Sequence, residues 1–139
     1  MSTNVIDALA RVPMLSSLDR RHLEKLAKDF SERTFAAGSA VVKEGDERSI
    51  GFFIVGDGEA VVSVGGAEVS RLGPGDHFGE IALISDRVRT ATVTAATDLH
   101  CYVMTMWDFR SFVHGNADVA WTLLEELATM LHRSKSTTV

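Results

Sequence analysis

The chain has 139 residues and a net charge of −5 at pH 7, with 45% hydrophobic and 24% charged residues. This composition is typical of one globular domain, 1–139, and excludes a long disordered chain. The negative charge argues against a broad nucleic-acid interface, and no run approaches the roughly 18 apolar residues of a transmembrane helix. The single cysteine, Cys101, cannot form an internal disulfide, and the first residues lack the pattern of a secretory signal. We therefore expect a soluble cytoplasmic protein that binds neither nucleic acid nor, by itself, a membrane.

Residues 1–32 carry a helical pattern. A short helix is expected around Val5 to Ala10, ended by a turn at Pro13. In the next segment, SSLDRRHLEKLAKDF, the apolar residues recur at helical spacing. They are Leu23, Leu26, Ala27 and Phe30. Ser16, followed three residues later by Asp19, resembles a capping box and predicts where this helix starts.

Residues 33–105 change to a β pattern. Short alternating or apolar runs are separated by glycine-rich turns about every ten residues, which favours a small antiparallel sandwich or barrel. Gly65 and Gly66 lie between AVVSV and AEVSRL and predict a hairpin, because both can adopt positive φ. Cys101 lies in the alternating run LHCYVMT and is expected to be a packed strand residue.

Residues 106–135 return to helix. A short helix is expected at MWDFRSFVHG, ending at Gly115, and a longer amphipathic one at NADVAWTLLEELATMLHRS. One side of the longer helix carries Val119, Leu123, Leu127 and Met130, and the stripe is broadened by Trp121, Leu124 and Leu131. Because this stripe is wider than one packing face requires, two uses are open. Leu127, Met130 and Leu131 could be ordinary helix-packing residues, and the surplus apolar surface leaves room for lid closure or for a homodimer.

The segment 79–84, GEIALI, interrupts the β pattern with good helix formers, and we expect one or two helical turns there. A helix that begins after a glycine exposes backbone amides that attract an anion, and Arg89 could bind an oxyanion such as phosphate from the other side. Glu80 would repel a phosphate but can accept hydrogen bonds from hydroxyl groups. Together these residues indicate a sugar phosphate; a structural ion pair between Glu80 and Arg89 is the alternative.

The same stretch resembles the phosphate-binding cassette of the cyclic nucleotide-binding domains, whose pattern is approximately FGE(L/I)AL followed by R(S/T/A)A(T/S)V. The residues at these positions are Phe78, Gly79, Glu80, Ile81, Ala82, Leu83, Arg89, Thr90, Ala91, Thr92 and Val93. The resemblance extends to PMLSSLDRRHLEKLA, AAGSAVVKEGD, VGDGEAVV and RLGPGDHFGE, which is nearly the whole chain. It implies a β jelly roll with flanking N-terminal and C-terminal helices, with the cassette at 78–93.

The resemblance also implies roles for individual residues. Glu80 and the Gly79 amide would hold the ribose 2′-hydroxyl. Arg89 would bind the cyclic phosphate, with help from the backbone amides of Ala82 and Ala91. The protein would then be a sensor for a 3′,5′-cyclic nucleotide whose C-terminal hinge and lid helices, 106–135, move on binding, with no enzymatic activity and no cofactor besides its ligand.

Base preference is less strongly indicated. Thr90 stands where some relatives contact a guanine, but threonine also occurs there in relatives that respond to cAMP, so we expect cAMP to be favoured over cGMP. Val62 and Val64 are candidates for the wall that faces the base, although apolar strand residues are more often core. Val88 stands where many members have proline, while Asp86 and Arg87 are expected at a solvated loop tip.

Two other classes of function remain open. A degenerate domain could keep the fold as a protein-interaction module without nucleotide. A jelly-roll metalloenzyme would need clustered ligands, but the five histidines are scattered and make no H-x-H or H-x-x-x-H pair. In relatives this domain regulates an attached effector, so an effector protein or domain is expected here as well, although the sequence does not identify it.

Overall fold

The computed structural model describes residues 5–45, 51–80 and 91–134. The chain begins with helix α1 at Val5–Ala10, a 3-10 turn at Pro13–Leu15 and helix α2 at Arg20–Ala27. Asp19, rather than Ser16, caps α2, because its side chain accepts a hydrogen bond from the His22 backbone amide at 2.9 Å. The capping box predicted from Ser16 was therefore wrong.

The described residues contain eight strands. They are β1 (Phe30–Phe35), β2 (Ala40–Val42), β3 (Phe52–Asp57), β4 (Ala60–Val64), β5 (Ala67–Leu72), β6 (His77–Phe78), β7 (Thr92–Ala95) and β8 (Leu99–Met104). They form two four-stranded antiparallel sheets with the orders β1-β8-β3-β6 and β2-β7-β4-β5. With helices at both ends of the chain, this is the expected β jelly roll with flanking helices.

Strand β1 starts earlier than the apolar spacing indicated. Phe30 was expected on the helix, but it pairs with Met104 at the far end of β8. This pairing joins residues far apart in sequence. Because it supplies backbone hydrogen bonds between two strands, Phe30 is extended although its local pattern favours a helix. The hairpin at Gly65 and Gly66 is confirmed: both have positive φ, 59° and 83°, and Val64 pairs with Ala67 across the turn.

Buried side chains form two clusters. The first cluster joins the helices to one face of the β1-β8-β3-β6 sheet, and its largest members are Leu9, Met14, Phe52, Tyr102 and Phe109. The second cluster lies between the two sheets and includes Phe53, Phe78, Val93, Leu99 and Cys101. Strand β3 serves both clusters, because successive side chains of a strand point to opposite faces.

Two helices follow the sheets: α3 at Met106–Gly115 and α4 at Ala117–Ser134. Thr105 caps α3 by accepting a hydrogen bond from the Asp108 amide at 3.2 Å. Helix α4 inserts Val119 and Leu123 into the first cluster, with Leu127 packed at its edge. No helix within the described ranges is long and apolar enough to cross a membrane.

Candidate functional site

A tight turn at 73–76 places strand β6 beside β3. The Asp76 carboxylate accepts a hydrogen bond from the Gly73 amide at 2.8 Å, and the Asp76 amide donates to the Gly73 carbonyl at 3.0 Å. The turn is held to β3 because the Gly75 amide donates to the Val55 carbonyl, and the Val55 amide donates to the Asp76 carbonyl, both at 2.9 Å. These bonds fix the point at which the cassette begins.

Phe78 and Gly79 direct the chain from strand β6 toward the interior. The Phe78 ring stacks on Phe53, with 4.7 Å between centroids and 3° between planes, inside the second cluster. Gly79 has a φ of +101°, a value that only glycine adopts readily. The chain is helical at Glu80, where the helix was expected after the glycine, and residues 81–84 of the expected helix lie outside the described residues.

Glu80 is a buried carboxylate, with 6% of its surface exposed. Its Oε2 atom lies 3.3 Å from Nδ1 of His77, which is close enough for an ion pair. Within the described ranges, neither of these two atoms makes a hydrogen bond of good geometry. Because a buried acceptor is costly when it is unsatisfied, the Glu80 carboxylate is suited to receive a donor such as a hydroxyl group.

His77 also contacts the last helix. Its Nε2 atom lies 2.9 Å from Oε2 of Glu126 on α4. Burial of His77 disfavours the charged ring, but the two nearby carboxylates of Glu80 and Glu126 outweigh this effect and raise the pKa of His77 to about 8. The two carboxylates therefore favour the protonated form of the imidazole. Sequence analysis missed His77 and Glu126, because they are 49 residues apart and share no local pattern.

Several predicted site residues lie outside the described residues. They are Ile81, Ala82, Leu83, Arg89 and Thr90. Val88 and the expected loop tip at Asp86 and Arg87 also lie outside the described residues. Ala91, the residue before β7, is partly buried. Val62 on β4 packs against the second cluster, as Phe78 does, whereas Val64 near the hairpin is 44% exposed. The structure thus brings Phe78 and Val62 together in one cluster, and Val64 is not part of it.

The three lid candidates differ in their surroundings. Leu127 packs against the first cluster, while Met130 and Leu131 are about half exposed, at 47% and 48%, beyond the packed part of α4. Helix α4 thus approaches the candidate site through Glu126, and its last turns extend past the core.

The described residues also form a groove apart from Glu80. The groove, of about 330 Å³, lies between the start of α2 and the α3–α4 junction, and three of its polar side chains already make local hydrogen bonds: Asp19 with His22, and Asn116 with the Phe112 carbonyl. Within 5–45, 51–80 and 91–134, no group of three or more His, Cys, Asp or Glu side chains is arranged to hold a metal ion.

Comparison with known proteins adds evidence from relatives. Residues 32–116 match the family described as Cyclic nucleotide-binding domain. The cAMP-dependent protein kinase regulatory subunit of Schizosaccharomyces pombe is 47% identical over 94 residues, which cover 66% of this chain and 22% of that protein. A cyclic nucleotide-gated potassium channel of Mesorhizobium japonicum is 34% identical over 112 residues, covering 81% of this chain and 31% of the channel. The chain thus spans about a third or less of these relatives.

The fold matches solved structures as well. The regulatory domain of Toxoplasma gondii PKA in complex with cAMP superposes with a TM-score of 0.79 at 26% identity, covering 91% of this chain and 49% of that one. The N-terminal domain of a transcriptional regulator from Streptomyces coelicolor superposes with a TM-score of 0.74 at 26% identity, covering 96% and 98% of the two chains. The same fold therefore occurs with different attached domains.

Proposed function

Because the family match covers more than half of its length, the chain belongs to the cyclic nucleotide-binding domain family, and we propose that it binds a 3′,5′-cyclic nucleotide, cAMP in preference to cGMP. The proposed role is that of a sensor and regulatory module without catalytic activity. Its ligand would be its only small-molecule partner, with no metal or further cofactor.

The observation that carries this proposal is the buried carboxylate of Glu80. It follows a positive-φ glycine, and its Oε2 atom makes no hydrogen bond of good geometry to any described residue. A ribose 2′-hydroxyl would supply the donor that this acceptor lacks, and charge-assisted hydrogen bonds to a carboxylate are among the stronger ones. The protonated ring of His77 would balance the negative charge of the Glu80 carboxylate. This carboxylate could therefore stay charged while it is buried against the ribose.

Arg89 is proposed to bind the cyclic phosphate, with the amides of Ala82 and Ala91, and Thr90 to lie near the base. These assignments follow from the cassette pattern FGEIAL and RTATV. The negatively charged phosphate needs a countercharge once it leaves water, and a guanidinium can provide two parallel hydrogen bonds. Val62 and Val64 on β4 are proposed to face the base, and Ile81 and Leu83 are proposed to belong to the nucleotide-binding site.

Calorimetric titration with cAMP and cGMP in parallel tests this proposal, with 5′-AMP as a ligand that lacks the cyclic phosphate. We expect both cyclic nucleotides to bind, cAMP more tightly, and 5′-AMP to bind far more weakly. Arg89→Ala should weaken the binding free energy of cAMP by about 2–5 kcal/mol, which is a loss of roughly thirtyfold to several thousandfold in affinity. Arg20→Ala, an exposed arginine on α2, is the matched control and should leave affinity unchanged.

Two results would contradict the proposal. Unchanged affinity of Arg89→Ala would remove the phosphate assignment. Absence of both heat and thermal stabilisation with saturating cAMP and cGMP would instead indicate a protein-interaction module that has lost its ligand.

We further propose that the C-terminal helices, 106–135, reposition when the nucleotide binds, with Leu127, Met130 and Leu131 as lid residues. Support comes from α4, whose later turns extend beyond the core while Glu126 contacts the site. A ligand that binds the closed arrangement more tightly would shift the population toward it. Hydrogen exchange should then slow along α3 and α4 on saturation with cAMP; unchanged exchange beyond Trp107 would oppose this mechanism.

Two partner proposals remain. Trp121 and Leu124 are 64% and 57% exposed on α4, at a spacing of three residues that suits a helix-to-helix homodimer. Sedimentation equilibrium should then show a dimer that Leu124→Lys dissociates, and a monomer at all concentrations would exclude it. The effector is proposed to be another protein or domain, with which this chain interacts in the cytoplasm.

A further inference from the structure

His77 lies where the cassette and the last helix meet. Its side chain is 12% exposed, and each of its ring nitrogens faces a different carboxylate: Nδ1 is 3.3 Å from Glu80 and Nε2 is 2.9 Å from Glu126. A neutral imidazole can donate from only one nitrogen, whereas the protonated ring donates from both. This arrangement of two acceptors therefore favours the imidazolium form.

This contact crosses between the two clusters of the core. The apolar anchors of α4, Val119 and Leu123, belong to the first cluster, which joins the helices to one sheet. Phe78, next to His77 in sequence, belongs to the second cluster, between the sheets. The His77–Glu126 contact thus ties α4 to the strand from which the cassette starts, independently of the apolar packing of α4.

We propose that His77 is a positioning residue that couples the nucleotide site to α4 by holding the carboxylates of Glu80 and Glu126 at the same time. This proposal rests on the proposed function, in which Glu80 accepts a ribose hydroxyl. The imidazolium balances the buried charge of Glu80, and Glu126 holds the ring in place and favours its charged form. When α4 moves away, His77 loses one partner and Glu80 loses part of its support. Nucleotide affinity and the position of α4 then depend on each other.

A double-mutant cycle with cAMP affinity as the readout tests this coupling. The variants are Glu126→Gln, His77→Gln and the double variant, and the control is Glu125→Gln, which makes the same charge change at the neighbouring exposed position of α4. We expect Glu126→Gln to weaken cAMP binding about threefold to tenfold, Glu125→Gln to leave it unchanged, and the double variant to bind no more weakly than His77→Gln alone.

Two further measurements separate positioning from simple loss of stability. In nuclear magnetic resonance titrations, the pKa of His77 should fall in Glu126→Gln but not in Glu125→Gln. The cAMP affinity of the wild-type protein should decrease as pH rises through the titration of His77, and this dependence should be absent from His77→Gln. A merely structural role would leave the pH dependence of the cAMP affinity unaltered by His77→Gln.

The proposal would be overturned if Glu126→Gln and Glu125→Gln had the same affinity, or if the effect of Glu126→Gln persisted fully in the His77→Gln background. Failure of the proposed function looks different, since the wild-type protein would then bind neither nucleotide. In that event, hydrogen exchange without ligand still tests whether the His77–Glu126 contact holds α4 in place. The amides of α4 should exchange faster in Glu126→Gln than in Glu125→Gln, and equal rates would refute this role of the contact.

Discussion

Nε2 of His77 lies 2.9 Å from Oε2 of Glu126, and this contact joins strand β6 to helix α4. Burial of the ring opposes its charge, but Glu80 and Glu126 together raise the pKa of His77 from 6.5 to about 8. Because the pKa is higher in the folded state, the stabilisation is fully present below about pH 6.5 and is lost as pH rises through about 8. A shift of this size corresponds to about 2 kcal/mol.

Urea denaturation at pH 6 and pH 9 measures this effect. The free energy of unfolding of the wild-type protein should fall by up to about 2 kcal/mol more than that of His77→Gln over this interval. His22→Gln is the control, because His22 is exposed and its change should leave the wild-type pH dependence intact. Equal pH dependence of the wild-type protein and His77→Gln would contradict the ionic role of this histidine.

Glu80→Gln should weaken cAMP binding by about threefold to tenfold, less than Arg89→Ala does. An amide oxygen can still accept a hydrogen bond from a ribose hydroxyl, but it lacks the negative charge that strengthens the bond. Calorimetry measures the loss, and Glu68→Gln on the exposed strand β5 is the control for a change of charge alone. A loss as large as that of Arg89→Ala, or no loss at all, would show that Glu80 has another role.

The sequence was most informative where structure is decided locally. The hairpin at Gly65 and Gly66 was predicted because positive φ at both residues is a property of glycine itself. The family was identified from the cassette, where the identities of adjacent residues carry the chemistry. In both cases a short stretch of chain contains all the information that the prediction needs.

The errors and omissions arose where distant residues decide the outcome. Phe30 fits a helical stripe, but its pairing with Met104 makes it the first residue of β1. The contact of His77 with Glu126 depends on how α4 packs against the sheet, and neither residue is unusual in its own segment. Local patterns do not encode such pairings, since these form only when the whole chain folds.

Gly58 should tolerate substitution much less well than Gly65. Both have positive φ, +88° and +59°, so alanine at either position introduces backbone strain of about 1–2 kcal/mol. At Gly58 the added Cβ would also collide with the backbone oxygen of Asp98, whereas at Gly65 it would meet nothing within 4 Å. Chemical denaturation should therefore show Gly58→Ala to be less stable than Gly65→Ala by more than about 1 kcal/mol. Equal losses would mean that the loop at Gly58 moves to make room.

Cys101 should be unreactive until the protein unfolds. It is fully buried on β8, between β1 and β3, and burial raises the pKa of its thiol to about 12, so very little thiolate forms at pH 8. The rate of alkylation by iodoacetamide should therefore follow the opening of the central sheet and rise steeply through the urea transition. Ser111→Cys, at an exposed position of α3, is the control and should react rapidly in the native protein. If Cys101 reacted in native buffer at a rate similar to that of Cys101 in unfolded chains, the central sheet would have to open far more often than its burial implies.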